Sequence, residues 1–194
     1  EACFVQFGDF DCPHCQSVHK TLVELKASYG DKLRLVWKDN PLPNHFRSRA
    51  AANFARDVRA QKGDEAFWKV HALMLESGKL SEEDLRGYAK KVAVKVPGAI
   101  DASTQGTHDA KIRQDQDLAE SLDATGTPTF FINGRRLVGA KPKSEIEAVI
   151  KEEETKAQAL LSAGTAASAL YDEIMKAAKD PGDAQTKVVP IGDP

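Results

Sequence analysis

Apolar and polar positions along the chain change period several times, and each change marks an element. Cys3–Phe7 (CFVQF) is short, apolar and rich in aromatic and branched residues, the mark of a buried strand. After Cys15 the apolar positions recur at spacings of four and three. Val18, Leu22, Leu25 and Tyr29 line one face of a helix that Gly30 closes. Leu33, Leu35 and Trp37 then alternate with Arg34 and Lys38 as far as Pro41 and Pro43, which predicts a second strand. From about residue 44 to 124 the period is helical throughout. Phe46, Ala50, Phe54 and Val58 share one face, and Phe67, Val70 and Met74 another. Ser81 and Asp84 form a capping box ahead of Leu85, Tyr88, Ala89 and Val92. Thr107 is expected to cap a further helix carrying Ile112, Ala119 and Leu122. The run TPTFFINGRRLVGA reads as two short strands joined at Asn133–Gly134, and Pro142 and Ser144 open a helix with Ile146, Val149 and Ile150 inward.

This order predicts an α/β fold. A strand–helix–strand opening implies a parallel pair, and the late hairpin adds antiparallel strands, with helices on both faces and a helical insertion in the middle crossover. The expected core is 1–43 with 125–155, and the insert is 44–124. An alanine-rich helical extension covers 156–182. The last stretch, 183–194, has no helix period and reads as a linker, so a further domain is expected in the full-length chain. The opening inside a strand likewise reads as a trimmed domain.

Composition narrows the function classes. The 194 residues are 41% hydrophobic and 29% charged with a net charge of −2, which suits a globular core. No basic stretch suggests a nucleic-acid groove, and no apolar run approaches the ~20 residues of a membrane helix.

The chemistry lies in the Cys-Pro-His-Cys run. Two of the three cysteines, Cys12 and Cys15, stand one helical turn apart where a strand ends and a helix begins. Cys12 there faces the free N–H groups and the positive end of the helix dipole. Pro13 suits the first helical position, and His14, when protonated, adds positive charge. All three features favour thiolate over thiol. Cys15, one turn further in, is expected to be shielded. That asymmetry suits thiol–disulfide exchange, in which Cys12 attacks and Cys15 resolves the mixed disulfide. A zinc site is the rival, since His19 completes C-x-x-C-x-x-x-H, but structural zinc takes four ligands and there is no second pair. A purely structural disulfide across so short a loop removes little unfolded-state entropy. Cys3 reads as a small buried hydrophobe, Phe10 as core or rim, and His19, His45, His71 and His108 as surface or packing residues.

The CPHC run at a helix start after an apolar strand, with GTPTFFING downstream, resembles the DsbA-like branch of the thioredoxin superfamily over about residues 3–150. The resemblance implies a thioredoxin fold with a helical insertion and a thiol–disulfide oxidoreductase acting on cysteine-containing protein substrates, with no cofactor and no metal. It implies that Pro128 is a cis-proline beside the cysteines, that it helps keep metals off them, and that the Thr127 backbone pairs with an extended substrate segment. It also implies an oxidising location, a bacterial periplasm or envelope, and a membrane redox partner that recharges the pair. Two departures stand out. Gln6 occupies the strand position where many relatives carry a carboxylate, leaving Asp9, Asp11 or Lys38 to substitute. Thr127 resembles the reductase and isomerase members rather than DsbA itself. The direction of electron flow therefore stays open between oxidase and isomerase or reductase. A redox-inactive peptide-binding or chaperone module of a larger envelope protein is the alternative of a different class.

Overall fold

A computed structural model describes residues 2–178. Strand β1 (Ala2–Gly8) leads into helix α1 (Pro13–Tyr29), and β2 (Leu33–Asp39) follows. The insert is α2 (Ser48–Ser77), α3 (Glu82–Lys91), α4 (Val96–Gln105) and α5 (Asp109–Ser121). The chain returns through β3 (Thr129–Ile132), β4 (Arg135–Val138) and α6 (Lys143–Ser162), and α7 (Leu170–Ala178) ends the described part. The sheet order is β2-β1-β3-β4, with β1–β2 parallel and the other two pairs antiparallel. The predicted α/β sheet with a helical insert is the observed fold.

Both faces of β1 are buried, which is why its sequence shows a continuous apolar run and not alternation. On one face Phe4, Phe130 and Ile132 meet Val18, Leu22 and Leu25 of α1 and Ile146, Val149 and Ile150 of α6. On the other, Val5, Phe7, Val36 and Phe131 meet Ala119 of α5 and Leu122 just after it. The Phe4–Phe130 and Phe7–Phe131 ring pairs, with centroids 5.1 and 5.9 Å apart, join β1 to β3. Each of these four rings is almost wholly buried, worth about 1.5–3 kcal/mol apiece. Asn133 (φ 47°) and Gly134 (φ 85°) turn the hairpin, and the Asn133 side-chain oxygen accepts the Cys3 N–H at 2.9 Å.

The insert carries its own core, in which Phe54, Val58, Val70, Met74, Leu85 and Ile112 pack with Phe10, Trp37 and both Cys12 and Cys15. An ion network seats it on the sheet. Arg56 of α2 donates to Asp39 of β2 at 2.6 Å and to Asp115 of α5 at 2.5 Å, while Trp37 Nε1 donates to Asp39 at 2.7 Å. Helix α2 breaks at Gly63 (φ 78°, ψ −169°), where a side chain would be strained.

Several local expectations need correction. Phe46 is not on the inward face of α2. It precedes the helix and is 94% exposed, because two successive turns, closed by the His45 N–H on the Leu42 carbonyl and the Ser48 N–H on the His45 carbonyl, occupy the chain up to residue 47. Thr107 does not cap α5; the helix starts after His108 and has no side-chain cap. The Ser81–Asp84 capping box forms as predicted. Helix α6 runs unbroken across residues 155 and 156, and beyond it Ala157 packs with Ile174 and Met175 of α7. The linker expected at 183–194 lies outside the described residues.

Candidate active site

The parallel register sets Gly8 beside Asp39, so the loop that follows β1 emerges next to the end of β2. Gly8 has no alternative there, since a methyl group on it would fall inside the Trp37 indole. The loop closes when the Cys12 N–H donates to the Asp9 carbonyl at 3.2 Å. Cys12 (φ −81°, ψ 118°) is then the residue before the first helical turn, and Pro13 opens α1 without needing a donor.

The antiparallel register does the rest. Thr129 pairs with Phe7, so the segment before β3 runs back alongside the loop after β1. The Thr127–Pro128 peptide is cis, and the Cys12 sulfur lies 3.3 Å from the Thr127 carbonyl oxygen, to which it donates when protonated. Residues 115 positions apart are thus in contact. Thr127 is half-buried and Pro128 buried. The Thr127 hydroxyl is buried with no hydrogen-bond partner.

Cys12 and Cys15 are both thiols, 2% and 0% exposed. Their acidities are split. The Cys15 thiol hydrogen bond, helped by the Thr127 side chain and the backbone N–H groups of Cys15 and His14, outweighs burial and pulls Cys12 from an ordinary 9.0 to about 5. Cys15 moves the other way. It gives its hydrogen bond to Cys12, is fully buried, and sits beside the Cys12 negative charge, so its thiol is held strongly protonated. The pair therefore bears one negative charge on the outer sulfur at neutral pH.

Pro13 and His14 are exposed at the edge of this sulfur. His14 contributes through its backbone N–H, and the sequence argument from imidazole charge is not needed to account for the Cys12 shift. His19 turns away from the cysteines. Its Nε2 lies 3.7 Å from Glu76 and its ring packs on His71.

Gln6, the position lacking a carboxylate, is buried, and its Nε2 has no hydrogen-bond partner. Of the three proposed substitutes, Lys38 turns to Asp115 at 3.5 Å and Asp11 accepts the Arg47 N–H at 3.3 Å. Asp9 is 1% exposed and stands at the base of the cysteine loop. Its carboxylate accepts the N–H groups of Asp11 at 2.8 Å and Leu42 at 2.9 Å, lies 2.7 Å from His45 Nδ1, and accepts a short bond from the Ser48 hydroxyl. His45 was expected to be an ordinary surface or packing residue. It instead joins this cluster, a juxtaposition with no local signature, since the loop that carries it only reaches Asp9 once β2 has paired.

Comparison with known proteins agrees with the fold. The family model described as Thioredoxin matches residues 1–152. The oxidised BdbD of Bacillus subtilis superposes with a TM-score of 0.72 at 21% identity, over 78% of this chain and 86% of that one. The thiol-disulfide exchange protein alpha-DsbA2 of Wolbachia pipientis superposes with a TM-score of 0.68 at 22% identity, over 78% and 81%. In sequence, the Na(+)/H(+) antiporter NhaA 1 of Salinispora arenicola is 33% identical over 137 residues, 70% of this chain and 21% of the antiporter. The chain spans about a fifth of the length of the curated relatives it matches.

Proposed function

The chain belongs to the thioredoxin family and has a DsbA-like fold, and on that premise we propose that it exchanges disulfides with cysteine-containing proteins through Cys12 and Cys15. The observation that carries this reading is the placement of Cys12 at the start of α1 against Thr127, with Cys15 fully buried one turn behind it. Cys12 is thiolate at neutrality while Cys15 keeps its proton, the arrangement in which one sulfur attacks or leaves and the other resolves. Neither cofactor nor metal is required for this chemistry. A substrate segment lying along Thr127 would place its own sulfur against Cys12.

The preferred direction is oxidation of protein dithiols. A stabilised Cys12 thiolate lowers the free energy of the reduced form, so the disulfide is the stronger oxidant. Such a disulfide is maintained in an oxidising compartment, which favours the cell envelope and a membrane partner that reoxidises the pair. The decisive test is an insulin-reduction assay combined with titration of the Cys12–Cys15 couple against glutathione. A reducing potential near that of thioredoxin, about −270 mV, would reverse the direction. Absence of exchange would favour a peptide-binding module instead.

The antiporter relatives favour a second reading, concerned with context. The domain would work in one polypeptide with an Na(+)/H(+) antiporter. Immunoblotting of the endogenous protein tests it: a membrane-bound band several times larger than this chain supports the fusion, and a band of this chain's own size in the soluble fraction refutes it.

A further inference from the structure

The exchange reading leaves one proton without a destination. When a substrate dithiol is oxidised to its disulfide it releases two electrons and two protons. The Cys12–Cys15 disulfide accepts both electrons, its S–S bond breaks, and Cys15 takes one proton. Cys12 remains thiolate, so the second proton must go elsewhere.

The Asp9 cluster is built to receive it. His45 is half-buried, with Nδ1 held 2.7 Å from the Asp9 carboxylate. Asp9 is itself locked to the cysteine loop by the Asp11 and Cys12 backbones and to the His45 loop by Leu42 and Ser48. The charged groups that face His45 from the loop before α1 are of one sign, while the exposed Arg47 on its own segment carries the opposite charge and acts on Asp84. Asp9, Asp11 and Cys12 face it from the loop before α1. On its own segment, Arg47 uses its backbone N–H on Asp11, and the Arg49 side chain is taken by Asp109 and Gln116. Burial acts to lower the His45 pKa, but the Asp9 hydrogen bond and charge, with Cys12 and Asp11 adding, carry it above the ordinary value.

Resting on the exchange reading, we infer that His45, clamped by Asp9, takes up the second proton on reduction and balances the charge of the Cys12 thiolate. His45 is a positioning residue for charge; it forms no bond to sulfur. The two protons of the substrate dithiol thus end on Cys15 and on His45, and the exchange is proton-neutral where His45 is neutral in the disulfide form and protonated in the dithiol form.

The consequence is thermodynamic. Reduction with two glutathione thiols releases one proton if His45 takes no part, so the exchange constant then changes tenfold per pH unit, about 30 mV. With His45 accepting that proton, the constant flattens over the interval in which the histidine titrates. The experiment measures the glutathione exchange constant of the parent and of His45→Gln from about pH 5 to about pH 8. Glutamine can still bond to Asp9 but carries no charge. The ratio of parent to variant should favour the reduced parent by about threefold or more at the acidic end and approach one at the alkaline end. A ratio independent of pH would overturn the role of His45. Should His45→Gln not fold, proton NMR titration of the His45 ring in the parent replaces it: the midpoint should be higher in the dithiol form, and equal midpoints overturn the inference. A parent that never equilibrates with glutathione would instead sink the exchange reading beneath it.

Discussion

The hydrogen bond from the Cys15 thiol to Cys12 is the largest single cause of the low Cys12 pKa, and it can be removed alone. Cys12 falls from 9.0 to about 5. Only the part of that shift lying below neutrality counts at pH 7, so the thiolate gains about 100-fold over an ordinary cysteine, or about 2.7 kcal/mol. The sign follows from linkage. The folded pKa is depressed, so this stabilisation of the reduced protein is fully present above the ordinary value and is lost as pH falls towards about 5. Since the disulfide form has no such group, the same energy appears in the redox couple as about 60 mV towards oxidant. Replacing Cys15 with Ala deletes the donor. A hydrogen bond to a charged group is worth about 1.5–3 kcal/mol, so the Cys12 midpoint should rise by about one to two pH units. Cys15→Ser retains an O–H donor and should hold the midpoint closer to the parent. The assay is the iodoacetamide alkylation rate of Cys12 against pH, with the reduced parent as reference. A parent midpoint near 8.5, the value of a free thiol, would refute the geometry of the site. An unchanged midpoint in Cys15→Ala would refute the assignment of the donor and leave the helix start and Thr127 as the causes.

Three further outcomes are expected. Thr127→Val removes the buried hydroxyl that is unpaired while Cys12 is a thiol and that donates to its thiolate, so the alkylation midpoint should rise by up to about one unit while urea stability stays within about 0.5 kcal/mol. His71 is enclosed by Phe10, Trp37, Phe67 and Trp68, and burial, with the His19 charge adding, depresses its pKa well below 6.5. Its contribution is therefore intact above the unfolded value and lost as pH falls below it, so His71→Phe should flatten the decline of stability between about pH 6.5 and pH 4, as read from urea midpoints. Arg56→Ala leaves the buried carboxylates Asp39 and Asp115 facing each other and should cost about 3–5 kcal/mol in urea unfolding at pH 7; a loss under about 1 kcal/mol would show that the network does not hold the insert.

What the amino-acid order determines by itself is what depends on neighbours along the chain. The switch from a continuous apolar run to spacings of three and four is a local property of backbone geometry, and so β1, α1 and most helices of the insert are legible. The same holds for the Asn133–Gly134 turn and for the Cys12-Pro13-His14-Cys15 run, where the helix start, the proline and both thiols lie within one turn. Phe46 misled because its spacing from Ala50 fits a helix, whereas the turns from Leu42 to Ser48 delay the helix start in a way that the spacing does not register. The encounters across the fold were decided only by tertiary structure. Thr127 reaches Cys12 because Thr129 pairs with Phe7, and His45 reaches Asp9 because β2 pairs with β1 and delivers the following loop to the cysteines. No local period encodes such meetings. They follow from the register in which both faces of β1 are buried at once, and a shift of one residue would turn every one of those side chains to the opposite face.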